Sequence, residues 1–153
     1  MIEFDFRPDE GVLAENAEGE PQAADPAALE ETYFVMPLRF SVNGAEVLGA
    51  GGEPWWDLPL LGFATHLQAC LERLIEQGKA QMFLAGGGSL VWRLRDDAAE
   101  VRNSLSGATV PMSLAELHSA VAALFQRVRQ FLLTRFPSMV AHPRWTDWFG
   151  ASL

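Results

Sequence analysis

The chain has one cysteine, one tyrosine and one lysine among its 153 residues. A lone Cys70 cannot close an internal disulfide, and no Cys pair is present to hold a structural metal. The three histidines, His66, His118 and His142, are far apart in sequence and form no HExxH motif. No apolar run approaches the ~20 residues of a membrane helix, and "MIEFDFRPDE" lacks the basic start and apolar stretch of a secretory signal. These absences lead us to expect a protein of the cytoplasm, with neither membrane nor cofactor; its many Ala and Arg residues suit a bacterial chain.

Catalytic signatures are missing as well. "GGGSLV" around Ser89 lacks the glycine after the serine that a nucleophile elbow uses. "GAGG" at 49–52 has no Lys-Ser/Thr ending of a phosphate-binding loop, so loop freedom explains it better. Asp96 and Asp97 are adjacent and Asp57 sits beside two tryptophans, so general acid-base work is one reading of these carboxylates. Capping and turn roles account for all three. No enzyme activity is expected.

What the chain does have is apolar residue in quantity, 49% hydrophobic and 10% aromatic, enough for one domain spanning residues 1–153. Its net charge of −9 is placed unevenly. Residues 1–31 carry ten acids against Arg7, whereas the other 122 residues carry ten acids and ten bases. Few large apolar residues fall in residues 8–28, so this stretch reads as an acidic loop or disordered segment. Its Glu15, Glu18 and Glu20 are candidates for steering a basic partner by long-range attraction.

Period-two patterns mark strands in "IEFDF" and "YFVMPLRFSV"; the second meets Asn43-Gly44, the favoured pair of a type I′ hairpin, and "AEVLGA" returns beside it. Pro37 lacks a donor and places this strand at an edge or bulge. Asp57 is expected as an N-cap, with Trp56 stapling the first turn, Pro59 inside it and Gly78 ending the helix. Its apolar stripe is Leu60, Phe63, Ala64, Leu67, Leu71, Leu74 and Ile75. Three further strands read from "AQMFLA", "SLVWRLR" and "EVRNSL". Ser113 and Glu116 then open a second long helix that runs to Pro137, followed by a short aromatic tail, "HPRWTDWFG". The expectation is α+β: a largely antiparallel sheet of five to six strands with two long helices packed on one face.

Binding candidates follow from this layout. Trp55, in a Gly-Pro loop, is a candidate exposed anchor. Arg93 and Arg95 share one face of their strand, and Arg39 with Tyr33 lies outward on another, so neighbouring strands would build a basic patch. Such a patch can bind single-stranded nucleic acid, but the neutral body and the acidic N-terminus argue against it. Cross-strand pairing with Glu46, Glu100 or Asp96 is the simpler outcome.

The arrangement of "WWDLPLLGFATHLQACLERL", a short antiparallel group, "SLAELHSAVAALFQRVRQFL", "FPSM" and a Trp-containing tail resembles the small immunity proteins of bacterial polymorphic toxin systems, and uncharacterised bacterial domains encoded near them. The resemblance implies a non-catalytic cytoplasmic protein that binds and blocks a cognate toxin. A small-ligand or regulatory domain using a pocket between helix and sheet is the alternative.

Overall fold

The computed structural model describes residues 1–49 and 53–150. The expected freedom of Gly51 and Gly52 falls outside them. In chain order the elements are β1 (Ile2–Phe6), α1 (Glu10–Glu18), α2 (Pro26–Glu31), β2 (Val35–Val42), β3 (Ala45–Glu46), β4 (Trp56–Pro59) and α3 (Leu60–Gln77), then β5 (Lys79–Phe83), β6 (Ser89–Arg95), β7 (Ala98–Asn103), β8 (Thr109–Ser113), α4 (Leu114–Arg135) and α5 (Trp145–Phe149). Short 3-10 turns occupy Pro21–Ala23 and Pro137–Ala141.

The architecture is α+β, with two antiparallel four-stranded sheets in place of the single sheet of five to six strands that the sequence suggests. In the first sheet β2 is central: β1 flanks one side, while β3 and β4 share the other. The second sheet is a meander in the order β5-β6-β7-β8. Asn43 and Gly44 both take positive φ, 50° and 83°, so the two-residue hairpin predicted there forms.

Pro37 therefore stands in a central strand, against expectation. The physical reason lies in which side its nitrogen faces. Its carbonyl accepts from the Arg7 N–H at 3.0 Å, so both backbone groups of residue 37 point toward β1, and β1 ends one residue earlier, at Phe6. The missing donor falls where no ladder continues. Pro111 hides β8 from sequence reading in the same way: its nitrogen faces outward from an edge, while its neighbours pair with β7.

Leu60 begins α3 later than Asp57 and Pro59 suggest. Trp56 to Pro59 pair with β2 as β4, and Pro59 itself is the N-cap, without a side-chain cap bond. Extended pairing has overridden the local helix-start signal. Gly78 does end the helix, at φ 76°. The buried stripe holds except for Ile75, which is 49% exposed. Ser113 Oγ accepts the Glu116 N–H at 3.3 Å and opens α4 as read.

Helix α3 lies on β5 and β6 and also touches β2 and β4, while α4 covers β1, β7 and β8 and packs on α3. One helical layer thus covers both sheets. Phe40 and Trp92, one from each sheet, stack with ring centroids 6.1 Å apart. The buried Asn103 carboxamide joins them a second time, donating to Val47 O at 2.8 Å and Leu48 O at 3.3 Å while its oxygen accepts the Leu105 N–H at 2.9 Å. Trp56 Nε1 adds a third link, donating to Ala85 O at 3.3 Å.

Residues 8–28, expected as a loop or disordered, contain α1, a 3-10 turn and the start of α2. Asp9 accepts the Gly11 and Val12 N–H groups, and Asp25 accepts that of Ala27, so two of the acids are N-caps. Over residues 8–31, to the end of α2, only Leu13, Pro21 and Leu29 bury fully, and polar ties supply the rest. The Phe34 N–H donates to Asn16 Oδ1 at 2.8 Å and the Tyr33 hydroxyl to Gly19 O at 2.9 Å.

Gly62 lets α2 reach α3, since a Cβ there would lie 1.9 Å from Glu30 O. Gly62→Ala should cost about 2 kcal/mol or more, lowering the melting temperature by roughly 4–8 °C in a circular-dichroism melt. Asn103→Ala leaves a buried carbonyl and the Leu105 N–H unpaired, and we expect a loss of about 2–3 kcal/mol in urea unfolding. An Asn103→Ala variant as stable as the parent would show that the sheets do not depend on this bridge.

Candidate functional site

The acidic segment is a docked cap. From residue 8 to residue 31 it holds eight carboxylates and no base. Glu10 pairs with Arg135 of α4 at 3.0 Å. His142 Nε2 meets Ala24 O at 2.8 Å and its Nδ1 accepts the Arg144 N–H at 3.0 Å, so both ring nitrogens are engaged and this buried histidine fastens the cap to the C-terminal turns. Glu15, Glu18, Glu20 and Glu31 remain exposed, without an ion pair among the described residues. The surface presents a fixed array of negative charge on ordered backbone.

The expected aromatic and basic candidates are not brought together as one patch. Trp55 is half-buried, with the Arg7 guanidinium 3.9 Å above its ring, so it is not a bare platform. Tyr33 is half-buried and spends its hydroxyl on the cap. Arg39 donates through Nε to Glu46 at 2.8 Å, the pairing that cross-strand geometry suggests, and this bond holds the guanidinium pKa above its ordinary value. It belongs to the first sheet, whereas Arg93 and Arg95 lie on the second.

On that second sheet the outer face gathers Lys79, Arg93 and Arg102 in adjoining rows beside Arg95, with Glu100 among them 3.8 Å from Arg95. Lys79 and Arg102 escaped sequence reasoning, because only the register of three strands brings them into line. His66 is exposed, 3.9 Å from Glu30, and Cys70 is buried, its thiol pushed up to about 11 by desolvation. Among the described residues no group of three or more His, Cys, Asp or Glu is placed to hold a metal ion, and no helix is long and apolar enough to cross a membrane.

Two concavities matter. A cleft of about 720 Å³ opens between α3, α4 and α5, with Phe125 and Trp148 as apolar wall and Glu72, Arg129, Arg144 and Asp147 as charged rim. Trp148 stacks on His142 at 5.1 Å, and Arg144 pairs with Asp147 at 2.9 Å, so much of the rim is already engaged. Its residues come from three helices distant in sequence, which is why no linear pattern revealed it. A smaller apolar pocket of about 270 Å³ lies between α2, α3, β4 and the end of β5. No protein-family model, curated protein or solved structure matches the chain.

The Glu10 to Arg135 hydrogen bond lowers the Glu10 pKa below the ordinary 4.5. A depressed carboxylate favours the docked state at neutral pH, and the contribution fades as pH falls through the lowered value. Acidification through that region should therefore lower the protection of the α1 amides, measured against their intrinsic exchange rates, more than that of the α3 amides. An equal loss of protection in both helices would show that the pair does not hold the cap.

Proposed function

We propose that this chain is a non-enzymatic protein-binding module of the bacterial cytoplasm, an immunity-type inhibitor whose acidic cap engages a basic cognate toxin. The observation that carries the reading is the exposed Glu15, Glu18, Glu20 and Glu31, without an ion pair among the described residues and held on a folded cap. Ordered carboxylates meet a basic partner with much of the conformational cost already spent, and their summed field speeds encounter. A floppy acidic tail would attract but not specify. The resemblance in element layout to toxin immunity proteins points the same way.

A second reading, a small-ligand or regulatory domain, draws support from the cleft beside Trp148, whose volume lies in the range of small-molecule sites. Saturable binding of a metabolite that Trp148→Ala abolishes would favour it.

The test is co-expression with a basic toxin encoded next to the gene, then measurement of association. Changing Glu15, Glu18 and Glu20 to Lys should slow association by about 10- to 100-fold at low salt, with dissociation far less affected. Association that is independent of salt and unchanged in the triple variant would remove the cap from the interface.

A further inference from the structure

The outer strands of the two sheets are not guarded alike. On β1, the Arg127 guanidinium donates to the Phe4 carbonyl. On β4, the outward-facing position 59 is a proline, as is position 111 on β8, so each lacks the donor that a further strand would need. Strand β5 carries no such device.

The Leu84 N–H donates to Gly88 O at 3.0 Å and Gly78 O accepts from Leu94 at 2.8 Å, which fixes the alternation along β5. Ala80 and Met82 face β6, so the backbone groups of Lys79, Gln81 and Phe83 point away from it. None of these outward groups has a partner among the described residues. Phe83, at the end of this edge, is 75% exposed.

Beside the edge runs a groove made of two adjoining hollows of about 270 and 230 Å³ that share His66, Met82 and Phe83. Glu30 and Glu31 stand at one end, and Arg73 lies farther along α3.

We propose that β5 is a self-association edge, joined by the β5 of a second copy in an antiparallel, two-fold pair centred on Gln81. Charge decides for this occupant. The two-fold sets Lys79 of each copy against Phe83 of the other on the outer face, a cation over an aromatic ring, and no like charges meet across the strand pair. On the helical side it carries Arg73 of one copy toward Glu30 and Glu31 of the other. Both backbone groups of Lys79, Gln81 and Phe83 then find partners, and the two sheets merge into one across an isologous interface. This inference stands apart from the proposed function, since it concerns a different surface and a different partner.

Sedimentation equilibrium of the full chain tests it. The mass should rise from 16.8 kDa toward twice that value as concentration climbs through the micromolar range. Gln81→Pro removes an outward donor where the β6 ladder does not use it, together with the Gln81 Nε2 to Ser89 Oγ bond at 3.2 Å, so the variant should fold with a slightly lowered melting temperature and stay monomeric. Should that variant fail to fold, Phe83→Lys, a surface change, sets two lysines together and should also abolish the dimer. Adding Lys79→Glu to Phe83→Lys places opposite charges across the pair and should restore it. A chain that stays monomeric throughout, or a dimer that survives both Gln81→Pro and Phe83→Lys, would overturn the proposal.

Discussion

Two sheets that share no ladder among the described residues must be held together by something else, and in this protein most of the structure depends on how that is done. Backbone pairing stops at the junction, so the alignment of one sheet on the other rests on side chains. Trp92 and Phe40 supply contact area, while the Asn103 carboxamide supplies direction, since its bonds to Val47 and Leu48 hold over only a narrow range of positions. The helices complete the junction from one side. Because α3 and α4 each rest on both sheets, a shift of one sheet would open the helical layer, and close packing resists that.

The cap depends on this junction in turn. Its α2 can lie against α3 only where Gly62 leaves room, and its α1 is fixed through the start of β2, where Phe34 sits fully buried at a positive φ of 57°. An aromatic residue seldom adopts that conformation, and here its N–H is held by Asn16. The polar ties explain how a segment with three buried apolar anchors can order at all. They also divide the charge of the molecule, with carboxylates gathered on the helical side and Lys79, Arg93 and Arg102 on the outer face of the second sheet.

Much of this was legible wherever periodicity and a matching boundary residue coincided. β1, the Asn43-Gly44 hairpin, the body of α3 with Gly78, and α4 with its Ser113 cap all follow from local pattern. Reading failed where a distant contact reversed a local preference. Pro37 signals an edge, yet it is central because β1 stops short of its nitrogen. Asp57 has the chemistry of a cap, yet β2 takes residues 56–59 as a strand. The acidic segment has the composition of a disordered chain, and no local count could reveal that Asn16, Tyr33, Arg135 and His142 would fasten it. Of the candidate site, the negative charge was readable and its ordered presentation was not. The basic face was half readable, since Arg93 and Arg95 share a strand while Lys79 and Arg102 join them only through register.

Cys70 lies where α3 meets β5, and its burial has a chemical consequence beyond packing. Burial pushes its thiol up to about 11, so the reactive thiolate is scarce at neutral pH. A thiol reagent is slowed both by this low ionisation and by the burial of the sulfur at the floor of the hollow between α3 and β5. The modification rate of this single thiol thus reports how open that hollow is, without adding a label or changing a residue.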